Sequence, residues 1–131
     1  MILSAQRTGA FLNLQTGDKA LCCLPLDYIG GKMMVVRALV LGLDLYLTTP
    51  SKNPLKTFSI KFDFVAFTPY QLEHSIDHLS KVKTLLVGGG PINETTKKIL
   101  YKNETNIYET YGMTETVSHV ALKHISPVSY T

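Results

Sequence analysis

The sequence predicts an α/β fold in which a parallel βαβ sheet is flanked by helices. Short apolar runs alternate along the chain with helix-length segments, and glycine or proline stands between most of them. A repeated strand–helix–strand order at this spacing is typical of parallel βαβ units with right-handed crossovers. With 131 residues, of which 45% are hydrophobic, the chain is long enough for one domain with its own core.

The first half of the chain predicts two strands around one helix. ALCCLPL (20–26) is a short apolar run and LDLYLTT (43–49) alternates weakly before a proline, so both are predicted as strands. Between them, GGKMMVVRALVLG (30–42) is apolar nearly all round between glycines, which predicts a buried helix. The polar segment 50–61 contains two prolines and is predicted as a surface connection.

The second half predicts three strands and two helices. The strands are FDFVAFTP (62–69), VKTLLVGGG (82–90) and TNIYE (105–109). A helix is predicted over 70–81 because Leu72, Ile76 and Leu79 share one face at helical spacing. Tyr70, at the start of that helix, is expected to pack.

PINETTKKILYK (91–102) predicts the other helix of the second half. Asn93 is the expected N-cap, and Glu94 lies in the first turn, where the helix dipole favours a negative charge.

Two polar segments, GGGP (88–91) and YETYGMTET (108–116), follow the last two predicted strands. Parallel α/β sheets bind ligands at the carboxyl ends of their strands. We therefore expect both segments at one edge of the sheet, where they would form a shared site.

The glycine segment is suited to an anionic ligand. Gly88, Gly89 and Gly90 directly follow an apolar strand, and glycine lets the backbone turn tightly and approach a ligand closely. The helix after them would offer N–H groups and a positive dipole end to a nucleotide or a carboxylate. The segment is neither a GxGxxG fingerprint nor a P-loop, and a purely steric need for glycine in the turn is the alternative.

The second segment carries the groups that bind a nucleotide triphosphate and its metal. Tyr111 offers a flat face for a base, and Gly112 has no side chain that would obstruct a base beside it. Thr114 supplies a hydroxyl for a phosphate oxygen, and Glu115 a hard oxygen ligand for Mg²⁺. The alternative is a helix N-cap at Thr114 or Thr116.

Three segments resemble motifs of the adenylate-forming enzymes, the superfamily of acyl-CoA synthetases, luciferases and adenylation domains. YETYGMTE is similar to their Tyr-Gly-x-Thr-Glu motif, VGGGP to their Gly-Gly-Ala-Pro loop, and CLPLDYIGG to their Leu-Pro-Leu-x-His-x-x-Gly segment. The motifs stand in the order of the family and cover essentially the whole chain. GMTETVSHVALK is most similar to the o-succinylbenzoate–CoA ligase branch, which serves menaquinone biosynthesis.

The resemblance implies an ATP-dependent acid–CoA ligase. A small-molecule carboxylate attacks the α-phosphate of Mg·ATP to give acyl-AMP and pyrophosphate, and the thiol of coenzyme A then displaces AMP. Glu115 would bind Mg²⁺ and act with Thr114 in catalysis, and Glu109 would lie near the adenine amino group. The nucleotide-binding residues implied are Gly88, Gly89, Gly90, Pro91, Glu109, Tyr111, Gly112, Met113 and Thr114.

The resemblance also implies contacts to the acyl substrate. Tyr28 stands where the family often has a histidine, and tyrosine can fill space and hydrogen-bond but does not titrate near neutral pH. Thr68 closes a strand and would border the same pocket. Ser118 and His119 follow the Tyr-Gly-x-Thr-Glu segment and would reach the acyl group, with a structural role as the alternative.

The phosphate loop and the C-terminal catalytic lysine of the family do not occur within the 131 residues. Residues 1–131 are therefore expected to be a piece of the large N-terminal domain that turns over no acyl substrate alone. Self-association through surfaces that lack their neighbours is a further expectation. The alternatives are another acyl- or aryl-CoA synthetase, or a non-catalytic nucleotide-binding or interaction module.

Charge and hydropathy argue against several other classes. The net charge is +3 with scattered basic residues, so no nucleic-acid partner is predicted. The most apolar stretch, Met33–Leu47, is interrupted by Arg37 and Asp44 and predicts no membrane span. The N-terminus lacks the basic start and apolar run of a secretory signal.

The cysteines and histidines are interpreted as structural residues. Cys22 and Cys23 are neighbours that would point to opposite faces of a strand, as buried reduced thiols of a cytoplasmic protein. His74 and His78 are spaced to share a metal, but a solvated helix face is the preferred interpretation.

Overall fold

A computed structural model describes residues 2–88, 92–100, 105–111 and 121–125 of the chain. The helices are α1 (Ile2–Leu12), α2 (Ile29–Leu41), α3 (Pro69–His74) and α4 (Glu94–Leu100). The strands are β1 (Lys19–Cys22), β2 (Asp44–Leu47), β3 (Phe62–Phe67), β4 (Val82–Val87), β5 (Asn106–Tyr111) and β6 (Ala121–Ile125). Short 3₁₀ helices lie at Pro54–Thr57 and Ile76–Lys81.

The strands form one sheet in the order β2-β1-β3-β4-β5-β6. β1 to β5 are parallel, and β6 runs antiparallel to β5. The register places Cys22, Ala66, Leu86 and Tyr108 in one row across β1, β3, β4 and β5. The predicted parallel α/β sheet is confirmed, and the carboxyl ends of these four strands meet at the same edge.

The sheet is covered on both faces, which explains the near-continuous apolar runs of its central strands. Ala20 and Cys22 pack with Met34 of α2 on one face. Leu21 and Cys23 pack with Leu72 of α3 on the other face. The fold is therefore a three-layer arrangement of helix, sheet and helix.

The helix predicted over 30–42 is α2, which ends where Gly42 adopts the left-handed conformation (φ 73°). The expected burial holds for most of this helix, because Met33, Met34 and Ala38 are buried. The exception among its described apolar side chains is Leu39, which is 79% exposed.

The helix predicted over 70–81 is divided at Ser75. The backbone N–H of Ser75 donates to Leu72 O (3.1 Å), and the chain continues as a 3₁₀ helix. The Ser75 hydroxyl donates to Lys52 O (3.3 Å) in the connection before β3. This tertiary contact fixes Ser75 to the connection before β3 at the point where the α-helix ends.

The segment 50–61 is not wholly a surface connection. Leu55 is fully buried, and Lys81 Nζ donates to Leu55 O (3.1 Å) and Phe58 O (2.6 Å). This lysine holds the connection against the end of the second 3₁₀ helix.

Two elements, α1 and β6, were not predicted. α1 carries no acidic residue in its first turn and no basic residue in its last turn, so its ends lack the usual signals. β6 has five residues and is defined by antiparallel pairing with β5. A strand this short that is defined by its pairing partner leaves little trace in the local sequence pattern.

The neighbouring cysteines face opposite sides of the sheet, as predicted. Cys22 belongs to the core under α2, and Cys23 to the core under α3. The Cys23 thiol is fully buried and donates to Ala66 O (3.5 Å). Burial, together with the charge of Cys22, raises the pKa of Cys23 to about 12, and burial also raises the pKa of Cys22.

We expect both thiols to resist Ellman's reagent at pH 8 in the folded chain, because the reactive thiolate is suppressed and the sulfur atoms are covered. After unfolding in guanidinium chloride, both Cys22 and Cys23 should react at once. Rapid reaction of either thiol under native conditions would contradict the buried placement.

None of the helices within the described ranges is both long and apolar enough to cross a membrane.

Candidate functional site

The carboxyl edge of the sheet contains a topological switch point between β1 and β3. After β1 the chain crosses to β2 on one side, and it then returns to place β3 on the other side of β1. Crevices form where the strand order reverses in this way, and ligands of α/β proteins bind there. Four of the predicted site residues lie along this edge: Tyr28 after β1, Thr68 after β3, Gly88 after β4 and Glu109 in β5.

Gly88 continues the sheet one residue beyond β4. Its N–H donates to Phe67 O (3.0 Å), and the residue is half-buried. The first residue of the glycine segment is therefore held at the carboxyl edge of the sheet. Gly89, Gly90 and Pro91 lie outside the described residues.

The two polar segments meet at Glu109. Val87 at the end of β4 is the sheet partner of Glu109 in β5. Ile92, which directly follows the glycine segment, donates its backbone N–H to Glu109 Oε2 (3.3 Å). The predicted placement of both segments at one edge is thus confirmed for the residues that flank them.

The Glu109 carboxylate is buried beside a lysine. Glu109 is 4% exposed, and its Oε1 lies 3.6 Å from Lys97 Nζ on α4. That oxygen accepts no hydrogen bond from the described residues. Lys97 Nζ also lies 3.7 Å from Glu94 Oε1. The pair joins β5 to α4.

Asn93 caps α4, as predicted. Its Oδ1 accepts the N–H of Thr96 (2.7 Å), while its Nδ2 donates to Glu73 Oε1 on α3 (2.6 Å). The expectation that this end of the helix offers its N–H groups to a ligand needs correction at two positions. The N–H groups of Ile92 and Thr96 are already engaged by Glu109 and Asn93.

Thr68 is the N-cap of α3. Its hydroxyl oxygen accepts the N–H of Gln71 (3.2 Å), and Gln71 Oε1 accepts the N–H of Thr68 (3.0 Å). This reciprocal pair is a capping box. Thr68 therefore has a structural role that sequence reasoning missed. The Thr-x-x-Gln spacing of residues 68–71 is the sequence pattern that indicates such a capping box.

Gln71 is a buried residue of the switch point that sequence reasoning did not single out. It is 5% exposed, and its Nε2 donates to Cys23 O and Ser51 O, both at 3.0 Å. These bonds connect α3 to the segments that follow β1 and β2. Gln71 therefore fixes the backbone that follows β1 and β2 against the start of α3.

Two tyrosines near this edge are exposed. Tyr28 precedes α2 and is 68% exposed. This exposure leaves its side chain accessible to a substrate. Tyr70 is 58% exposed, so the expectation that it packs is wrong. Its ring lies 4.4 Å from that of His74, with a tilt of 45°.

His74 is exposed, and its Nδ1 shares a hydrogen bond with Tyr70 O (2.9 Å). His78 is half-buried rather than solvated. Within the described part of the chain, no group of three His, Cys, Asp or Glu residues is placed to hold a metal ion.

Tyr111 is the last residue of β5, and the rest of the second polar segment follows it. Besides Gly89, Gly90 and Pro91, the predicted site residues that lie outside the described ranges are Gly112, Met113, Thr114, Glu115, Ser118 and His119.

The sequence profile of the AMP-binding enzyme family matches residues 2–130. The chain is a member of the AMP-binding enzyme family. This match spans the glycine segment, the Tyr-Gly-x-Thr-Glu segment and the switch point described above.

Relatives within the AMP-binding enzymes agree with this assignment. A 2–succinylbenzoate–CoA ligase from Listeria monocytogenes is 28% identical over 117 residues, which are 83% of this chain and 25% of that protein. The chain thus spans about a quarter of the length of the curated relatives that it matches.

Solved structures of AMP-binding enzymes share the fold. An acyl-CoA synthetase (AMP-forming)/AMP-acid ligase II-like protein from Dyadobacter fermentans superposes with a TM-score of 0.90 at 39% identity, over 95% of this chain and 38% of that one. E. coli MenE with a bound analogue of OSB-AMS superposes with a TM-score of 0.78 at 25% identity, over 95% of this chain and 28% of that one.

Proposed function

We propose that this chain is a segment of the N-terminal domain of an ATP-dependent acid–CoA ligase and that it supplies one wall of the nucleotide site. The observation that carries the proposal is the bond from Ile92 N–H to Glu109 Oε2 (3.3 Å). It ties the glycine segment to the strand that leads into the Tyr-Gly-x-Thr-Glu segment. Membership of the AMP-binding family supports a nucleotide as the ligand.

The described part of the carboxyl edge of the sheet suits the flat base of a nucleotide. Gly88 has no side chain and is held level with the ends of β3 and β4. In the proposal, the backbone of Gly88–Pro91 lines one side of the base and Tyr111 stacks on it, with Gly112 and Met113 beside it. Thr114 holds phosphate, and Glu115 is the ligand for Mg²⁺, which would neutralise phosphate charge.

The acyl group is proposed to lie over the switch point. Exposed Tyr28 and Leu26 follow β1, and Thr68 follows the neighbouring β3. Ser118 and His119 would complete this side. Since a 28% identical relative is a 2–succinylbenzoate–CoA ligase, we propose o-succinylbenzoate as the acid and a role in menaquinone biosynthesis. The two reduced, buried thiols accord with a cytoplasmic location.

A second candidate is another acyl-CoA synthetase, because the solved structure with 39% identity carries that description. Thioester formation from a panel of carboxylic acids by the complete gene product that contains this chain would separate the two. The first candidate requires o-succinylbenzoate to be the best acid of the panel.

Nucleotide binding is tested by titrating the ¹⁵N-labelled chain with AMP. We expect the largest shift changes at the amides of Gly88, Ile92 and Glu109. Tyr111→Ala should weaken binding about tenfold or more, since stacking of a base on an aromatic ring contributes about 1–3 kcal/mol. Tyr70→Ala, at an exposed tyrosine of α3, is the matched control and should bind AMP normally. Equal affinity in both variants would contradict the proposed site.

Turnover is tested by pyrophosphate release from ATP with o-succinylbenzoate. For residues 1–131 alone we expect release at the level of a protein-free blank, because the sequence holds neither the phosphate loop nor the catalytic lysine of the family. Release above the blank that disappears in Glu115→Ala would show that this segment is catalytically sufficient and would refute the expected inactivity.

A further inference from the structure

We propose that Lys97 is a positioning residue that makes the nucleotide site select a base with an amino group over a base with a carbonyl. The inference rests on the proposed function, which places a nucleotide at the carboxyl edge of the sheet. Lys97 acts by fixing the Glu109 carboxylate beside a positive charge, which leaves one carboxylate oxygen as an acceptor for the ligand.

One oxygen of a buried carboxylate is open to a ligand in β5. Glu109 is 4% exposed, and its Oε1 accepts no hydrogen bond from the described residues. The other oxygen, Oε2, accepts the N–H of Ile92 (3.3 Å), so the carboxylate is held at one end. Buried polar atoms are nearly always hydrogen-bonded, and an unsatisfied acceptor beside a proposed ligand site therefore calls for a donor on the ligand.

Lys97 balances the charge of this carboxylate without closing Oε1. Its Nζ lies 3.6 Å from Glu109 Oε1, which is longer than a hydrogen bond, and its side chain is 12% exposed. The same Nζ lies 3.7 Å from Oε1 of Glu94, whose side chain is 80% exposed. A buried charge without a partner is costly, so Lys97 allows a charged carboxylate to stay at this position. A carboxylate oxygen has two lone pairs, so Oε1 can still accept a hydrogen bond from a ligand.

The charged carboxylate determines which base fits. An ionised carboxylate accepts hydrogen bonds and cannot donate them, so it attracts an amino group and repels a carbonyl oxygen. The proposed site places the base beside Gly88, which directly follows Val87, the sheet partner of Glu109. The ligand expected at this edge is therefore an adenine nucleotide, whose base presents an amino group.

The selection is tested by measuring the affinities of the chain for AMP and for inosine monophosphate by isothermal titration calorimetry. Inosine monophosphate has a carbonyl in place of the adenine amino group. We expect AMP to bind about tenfold more tightly or more, because the carbonyl leaves the buried Oε1 without that donor. In Glu109→Gln the two affinities should come within about threefold of each other, since an amide can accept from an amino group or donate to a carbonyl.

Variants of α4 separate the role of Lys97 in selection from a general effect on the fold. In Lys97→Met the buried carboxylate lacks its positive partner and takes up a proton or turns to water, so the preference for AMP should fall by about fivefold or more. Lys97→Arg keeps the charge and should keep the preference. Lys98→Met, at the next and exposed lysine, is the matched control and should leave both affinities unchanged. A purely structural loss at position 97 would weaken both nucleotides by the same factor.

Equal affinity of the unsubstituted chain for AMP and inosine monophosphate would overturn the inference and leave the proposed function standing. An unchanged preference for AMP in Lys97→Met would likewise show that Lys97 does not control the choice of base. If Lys97→Met does not fold, Lys97→Gln, which is polar but uncharged, supplies the same criterion. Binding of neither nucleotide would refute the proposed function, and the inference with it.

Discussion

Gly31→Ala is expected to lower the free energy of unfolding by about 3 kcal/mol or more. A Cβ atom at position 31 would lie 2.3 Å from Pro25 O and 2.8 Å from Pro25 C. Both are backbone atoms, so they cannot move aside without displacing the turn between β1 and α2. Urea unfolding followed by circular dichroism measures the change.

Gly30→Ala is the matched control in the same turn of α2. Its Cβ would meet Leu24 Cδ1 at 3.2 Å, the end of a flexible side chain. Because alanine is favoured over glycine within a helix by about 0.5–1 kcal/mol, this variant should be neutral or slightly stabilised. Similar losses in both variants would show that the close approach to Pro25 is not the cause.

This contact also gives a physical reason for the last glycine of CLPLDYIGG. Gly31 lets the start of α2 lie directly against the backbone that leaves β1. The position of exposed Tyr28, which is proposed to face the acyl substrate, depends on that packing. A side chain at 31 would therefore be expected to disturb the proposed acyl site as well as stability.

Gln71→Leu is expected to cost about 3 kcal/mol of unfolding free energy. The substitution nearly preserves volume but removes the bonds to Cys23 O, Ser51 O and Thr68 N–H. Gln71 is 5% exposed, and buried polar groups that lose their partners cost about 1–3 kcal/mol each. The midpoint and slope of urea unfolding give the value.

The same substitution at Gln15 provides a control for the change in residue type. Gln15 is exposed, and its Nε2 donates to Asn13 Oδ1 (3.0 Å) on the surface. Gln15→Leu should change the unfolding free energy by no more than about 0.5 kcal/mol. A loss below about 1 kcal/mol for Gln71→Leu would mean that the three bonds at the switch point do not stabilise the fold.

Local patterns predicted most of the sheet because its strands are buried on both faces. β3 (FDFVAF) and β4 (VKTLLV) are mostly apolar, with their charged residue at the second position, as expected for strands that are buried on both faces over most of their length. The N-cap of α4 could also be predicted from the sequence, because Asn93 accepts the amide N–H only three residues ahead. Such features depend on near neighbours in the chain and leave a local signature.

Features that depend on distant partners could not be predicted in this way. The break at Ser75 coincides with a hydroxyl bond to Lys52, 23 residues earlier in the chain. Leu55 was assigned to a surface segment because the polar residues around it conceal its burial. The strand β6 depends on pairing with β5 across residues 112–120.

For the candidate site, the sequence by itself determined the fold class, the family resemblance and the edge of the sheet at which Gly88, Ile92 and Glu109 lie. These follow from apolar periodicity and from residue types at fixed spacing. The tertiary structure alone decided that Gln71 joins the segments around the switch point and that Glu109 bonds Ile92, 17 residues away in the chain. These buried hydrogen bonds join segments that are far apart in the chain, so residue types and spacing in the sequence give no sign of them.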